Sequence, residues 1–133
     1  MRRFMPIMAV LSMMLLIGCS TVRSVEPVWK TIPEIKQTKY EDAWAAIVGC
    51  VTGRNLNLEI SDAGSGYLRT AYGGTGNNTQ TRVIVRVVNR KPLQISLKAE
   101  LIQLDMWAGQ WLPVGNNVAM EKLILDELEA RLK

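Results

Sequence analysis

Thr81-Arg82-Val83-Ile84-Val85-Arg86-Val87-Val88 and, after the turn Asn89-Arg90-Lys91-Pro92, Leu93-Gln94-Ile95-Ser96-Leu97-Lys98-Ala99-Glu100-Leu101 decide the fold. Successive side chains on a strand point to opposite faces, so Val83, Val85 and Val87 share one face and Arg82 and Arg86 the other. The second run repeats the rule, with Leu93, Ile95, Leu97, Ala99 and Leu101 opposed to Gln94, Ser96, Lys98 and Glu100. Two adjacent runs of period two with a Pro-containing turn between them predict an antiparallel pair with one buried face.

Working backwards, Leu56, Leu58 and Ile60 alternate with Asn57, Glu59 and Ser61, and Asp62 to Gly66 is a turn by composition. Tyr67 to Tyr72 reads as the return strand, and Gly73-Gly74-Thr75-Gly76-Asn77-Asn78 as a mobile hairpin loop. That loop lacks the lysine and following helix of a phosphate-binding loop. Before these strands, Thr38 to Val51 predicts a helix. Thr38 and Glu41 form a capping box, Tyr40, Trp44, Ile47, Val48 and Val51 recur on one face, and Gly53 offers a left-handed cap. Beyond Leu101 the apolar phase slips by one residue, to Ile102, Leu104 and Met106, as at a β-bulge or a strand end. Pro113 and Gly115-Asn116-Asn117 then read as turn and helix N-cap. Val118 to Lys133 reads as a last helix, with Met120, Ile124, Leu125, Leu128 and Leu132 on one side and Glu121 elsewhere around it. The expected fold is α+β: a four-stranded antiparallel meander with N- and C-terminal helices packed on one face and the other face wet.

The start of the chain has a different character. Met1-Arg2-Arg3 is positive, and Phe4 to Ile17 is an apolar run of about 14 residues, short of the roughly 20 that span a bilayer. This is the pattern of a secretory signal. The run closes on Leu16-Ile17-Gly18-Cys19, which resembles the lipobox of bacterial lipoproteins. The resemblance implies cleavage between Gly18 and Cys19, a diacylglyceryl thioether on Cys19 and an acyl chain such as palmitate on its new amino group. Two or more chains hold stably where one does not. Ser20 in place of Asp implies an outer-membrane, periplasm-facing location. The chain thus divides into a signal peptide at 1–18, a lipidated N-terminus and tether at 19–37, and a single domain at 38–133. Val28, Trp29, Ile32 and Ile35 are costly to leave in water, so the second half of the tether is expected to lie against the domain.

The first helix, Asn57 to Ser61, the turn and Tyr67-Leu68-Arg69-Thr70 look like the helix-grip domains of the lipoprotein subunit of the outer-membrane β-barrel assembly machine. The likeness covers roughly residues 40–132 as a pattern of elements. In that family such domains serve protein contact rather than chemistry.

Composition narrows the function. The formal charge of +4 falls to +2 once Arg2 and Arg3 leave with the signal, too weak a field to argue for nucleic acid. The chain has no histidine, which removes the commonest general base and metal ligand. With Cys19 lipidated, Cys50 has no disulfide partner, and it reads as a small, partly buried apolar residue. Asp62 and Asp105 are isolated, and Ser61 and Ser65 have no basic partner. No catalytic residue, metal or cofactor is expected. Arg69, Arg82, Arg86 and Lys98 can share the exposed sheet face, either as a cationic platform for phosphate groups, cell-wall polymers or an acidic partner, or as a solvated face paired with Glu59 and Glu100. Trp107 and Trp111 either close the core or form a binding surface. A split is expected, with Trp107, next to the apolar run Ile102-Leu104-Met106, as core and Trp111 as the more exposed ring. The expectation is a non-enzymatic, membrane-anchored envelope lipoprotein that binds an envelope protein as a scaffold or assembly accessory. The alternative is a binding module that holds an apolar or lipid ligand between helices and sheet.

Overall fold

The computed structural model describes residues 22–32 and 39–132. The elements run β1 (Lys30–Thr31), α1 (Tyr40–Thr52), β2 (Leu58–Asp62), β3 (Tyr67–Thr70), β4 (Gly73–Gly76), β5 (Thr79–Arg90), β6 (Leu93–Asp105), β7 (Gln110–Asn116) and α2 (Val118–Arg131). The chain is α+β, with one open antiparallel sheet and two helices. The long β5–β6 hairpin is its spine. β3 and β4 lie in line along the outer edge of β5, with β2 beyond β3, while β1 and β7 lie in line along the outer edge of β6. The expected count of four strands is therefore corrected to seven among the described residues.

Each additional strand has a local cause. Gly73 to Asn78, expected to be a mobile loop, is strand β4 and a tight turn, with Gly73 opposite Thr81 and Gly74 opposite Gln80. Asn78 closes the turn with a φ of 59°, a left-handed conformation that asparagine tolerates better than most residues. Thr70 makes the join: its hydroxyl accepts the Val83 N–H at 3.0 Å where β5 passes from β3 to β4. Past Leu101, β6 continues to Asp105, and its register with β5 is unbroken as far as Gln103 opposite Thr79. The slip lies instead in its pairing with β7, where Glu100 faces Asn116 but Ile102 faces Pro113. The extra residue lies in β7 beside Gly115, whose φ of 99° suits glycine. Pro113, Gly115 and Asn116, expected to be turn, are thus strand, and Pro113 is tolerated because β7 is an edge strand.

The core lies between the helices and the odd-numbered side chains of the β5–β6 pair. Val83, Val85, Leu93, Ile95, Leu97 and Ala99 pack with Leu68, with Trp44, Ile47 and Val51 of α1, and with Ile124 and Leu128 of α2. Each such aliphatic side chain contributes about 1.5–3 kcal/mol when fully buried. The buried stripe of α1 is rotated from the expected one: Ala43 and Cys50 are fully buried, while Tyr40 and Val48 are partly so. Small residues at those positions let the sheet and α2 approach, and Arg131 of α2 lies across Gly49. Thr38 lies outside the described residues. The N-cap residue is Lys39 and makes no side-chain cap, and Gly53 has a φ of −72° rather than a left-handed one.

Two further expectations are revised. Leu58 and Ile60 are exposed because β2 is an edge strand and a bulge between them sends Ile60 to the face of Arg69. Glu121, read as lying elsewhere around α2 than its apolar side, is buried at 4% exposure. Its Oε2 accepts the Ala99 N–H at 3.1 Å and the Asn116 Nδ2 at 2.8 Å, which satisfies a buried carboxylate. Asn117 caps α2, its side chain accepting the Met120 N–H at 3.1 Å.

Candidate functional site

The sheet face away from the helices, expected to be wet, is partly covered. Ile84, only 5% exposed, and fully buried Ser96 point to it. The cover is the segment leading into β1. Val25 pairs in parallel with Val114 and donates its N–H to the Pro113 carbonyl at 2.7 Å. Lys30 and Thr31 pair with Leu97 and Ser96, and the Thr31 and Ser96 hydroxyls are 2.9 Å apart. This alternation delivers Trp29 to the outer face, beside Lys98. Ile32 packs against the core, whereas Val28 is exposed and Ile35 lies outside the described residues.

Trp29 meets two of the cations named from the sequence. The Arg86 guanidinium is 4.2 Å from its ring centroid and the Lys98 ammonium 4.6 Å, distances at which the ring quadrupole attracts a cation. Arg82 repeats the motif over Tyr72 at 4.6 Å. Glu100 collects Arg82 at 2.6 Å, Lys98 at 3.0 Å and the Tyr72 hydroxyl at 3.2 Å. Arg69 pairs with Glu59 at 3.1 Å. The register thus brings all four cations to one face, and each is held by a carboxylate or an aromatic ring. Burial acts to raise the Glu100 carboxyl, but the hydrogen bonds and charges of Arg82 and Lys98 outweigh it and hold the group below its ordinary value. Burial likewise acts to lower Arg82, and Glu100 reverses it. Tyr72 is raised by burial.

The two tryptophans lie at the far end of this sheet. Trp111 pairs with Leu104 in β7 and, by register, shares the outer face with Lys98 and Arg82; it is 43% exposed. Trp107 sits on the tip of the β6–β7 hairpin with Met106, and the two are 76% and 72% exposed. Trp107 is therefore not a core residue. The strand continues past the point where its apolar phase changes and carries Met106 and Trp107 beyond the end of the core. Asp105 is fixed here as the turn's anchor, its Oδ1 accepting the Trp107 and Ala108 N–H groups at 3.1 and 3.3 Å. The β4–β5 turn abuts this hairpin, with the Leu104 N–H on the Asn78 carbonyl at 2.8 Å and the Asn78 Nδ2 3.6 Å from the Met106 sulfur. One signal in the sequence marks this end. No charged residue occurs between Asp105 and Glu121, nor between Arg69 and Arg82.

Cys50 is buried, and burial raises its thiol. Among the described residues no three Asp, Glu or Cys side chains are grouped to hold a metal ion, and no helix is long and apolar enough to cross a membrane. Gly18 and Cys19 lie outside the described residues. No protein-family model matches this chain, and no curated protein matches it.

Proposed function

We propose that this protein is a non-enzymatic lipoprotein of the bacterial outer membrane, anchored through Cys19, whose domain binds another envelope protein through the outer face of its sheet. The observation that carries this reading is the cation–aromatic layer of Trp29, Tyr72, Arg82, Arg86 and Lys98. Trp, Tyr and Arg are the residue types that dominate binding energy at protein interfaces. Here they are already held in place, so little side-chain entropy is left to lose on association. Trp111 extends the same face. The likeness to the helix-grip domains of the β-barrel assembly machine points the same way, towards a scaffold or assembly accessory. Trp44, Leu97 and Leu128, which would line a ligand cavity between helices and sheet, are packed in the core instead, and this favours the protein-binding reading.

Photoreactive residues placed at Arg69, Arg86 and Trp111, and as a control at exposed Lys122 of α2, test it in intact cells. The expected result is a discrete protein adduct from the outer-face positions that Lys122 does not give and that Arg86→Glu weakens. Adducts from Lys122 with none from the outer face would overturn the assignment.

A further inference from the structure

We infer that the tip of the β6–β7 hairpin, Met106 and Trp107, is a bilayer contact: it dips into the interfacial layer of the membrane that holds the lipid anchor. This rests on the reading of Cys19 as the lipidated residue.

Three observations converge on it. The tip presents the two most exposed large apolar side chains among the described residues. Indole is an amphipathic ring that settles at the headgroup level of a bilayer, and methionine adapts to any apolar surroundings. The tip is also free of charge. Around it, residues 101–117 and residues 70–81 of the abutting β4–β5 hairpin contribute only Gly, Ala, Asn, Gln, Thr, Tyr and apolar residues, apart from buried Asp105. Approach to a bilayer therefore desolvates no ion there.

The third observation is the direction of the chain. Val25 runs parallel to β7 at Val114, so the chain enters this bridge from the hairpin end of β7. From Val25 back to Cys19 the chain can extend about 20 Å, at roughly 3.3–3.6 Å per residue. From Val114 down β7 and around the turn to the tip is a similar distance, about 20 Å, at roughly 3.4 Å per residue. An anchor at Cys19 is thus within reach of the level of the Met106 and Trp107 side chains. The protein stands on its hairpin with the outer sheet face roughly upright. Trp111, set back along β7 on that face, stays with the protein-facing surface.

The mature lipidated chain, reconstituted into phosphatidylethanolamine–phosphatidylglycerol vesicles with or without brominated acyl chains, tests this. Bromine quenches indole on contact, so brominated lipid is expected to dim the tryptophan emission. Trp107→Phe is expected to remove that loss, because Trp29, Trp44 and Trp111 lie back from the bilayer. Flotation with the vesicles and the acyl mass on Cys19 report on the anchor separately. Protein that is acylated and floats but shows no quenching, or quenching that Trp107→Phe leaves intact, would overturn the bilayer contact and leave the anchor standing. Protein that carries no acyl group and does not float would overturn both. A photoreactive group at Trp107 that captures a protein rather than lipid in intact cells would assign the tip to a protein partner instead.

Discussion

The Asn116 carboxamide stands in for a strand of the sheet: it accepts the Val28 N–H at 2.8 Å and donates to the Val28 carbonyl at 2.7 Å. The same Nδ2 donates to buried Glu121. One side chain therefore joins the N-terminal segment, the end of β7 and the start of α2. Asn116→Ala should remove both bonds to Val28 and leave Glu121 with one donor fewer, a loss of about 1–3 kcal/mol. Hydrogen exchange should speed up first across 22–32 and leave the β5–β6 pair protected. Uniform acceleration through the domain would show that the segment is not held at this point.

Glu100 makes stability depend on acid. Its carboxyl is held below its ordinary value by Arg82 and Lys98. A group lowered on folding contributes stability above its unfolded value and loses it as pH falls through the folded value. Urea midpoints should therefore drop below about pH 4.5, the ordinary glutamate range, more steeply in the native protein than in Glu100→Gln. Asp62, lowered by hydrogen bonds from Ser65 and Gly64, titrates in the same range but is present in both proteins. Identical acid limbs would mean that the Arg82–Glu100–Lys98 cluster contributes nothing.

Cys50 should react slowly. It is fully buried, and its thiol is raised by burial, so the thiolate that attacks reagents is scarce at neutral pH. Labelling should proceed at the rate of local opening, and Cys50→Ala should cost about 1 kcal/mol for the small volume removed. Immediate modification under native conditions would place the thiol outside the core.

The two classes of tryptophan should separate in thermal melts. Trp44 is packed in the core, so Trp44→Ala should destabilise by about 3–5 kcal/mol. Trp107 is largely in water, so Trp107→Ala should stay within about 0.5 kcal/mol. A large loss for Trp107→Ala would show that the hairpin tip is folded back on the domain.

By itself the sequence determined the class and most of the core: the period of two through Thr81–Leu101 and the helical spacing of Trp44, Ile47, Ile124 and Leu128 place those side chains on one buried face. Both are local patterns, imposed by the backbone geometry of a strand or a helix. The same alternation set Arg82, Arg86 and Lys98 opposite the apolar side chains of their own strands, while the strand register brought them and Arg69 to one face. Tertiary structure decided what those cations meet, because Trp29 and Arg86 are brought together by pairing between distant parts of the chain. It decided that Gly73–Gly76 is strand, since glycine has little strand preference and pairs there only because β5 runs past the end of β3. Trp107 is the sharpest case. The apolar run Ile102-Leu104-Met106 draws the ring inward on paper, yet β6 ends at buried Asp105 and the ring stands in the turn beyond it, and an apolar residue is buried only where something lies over it.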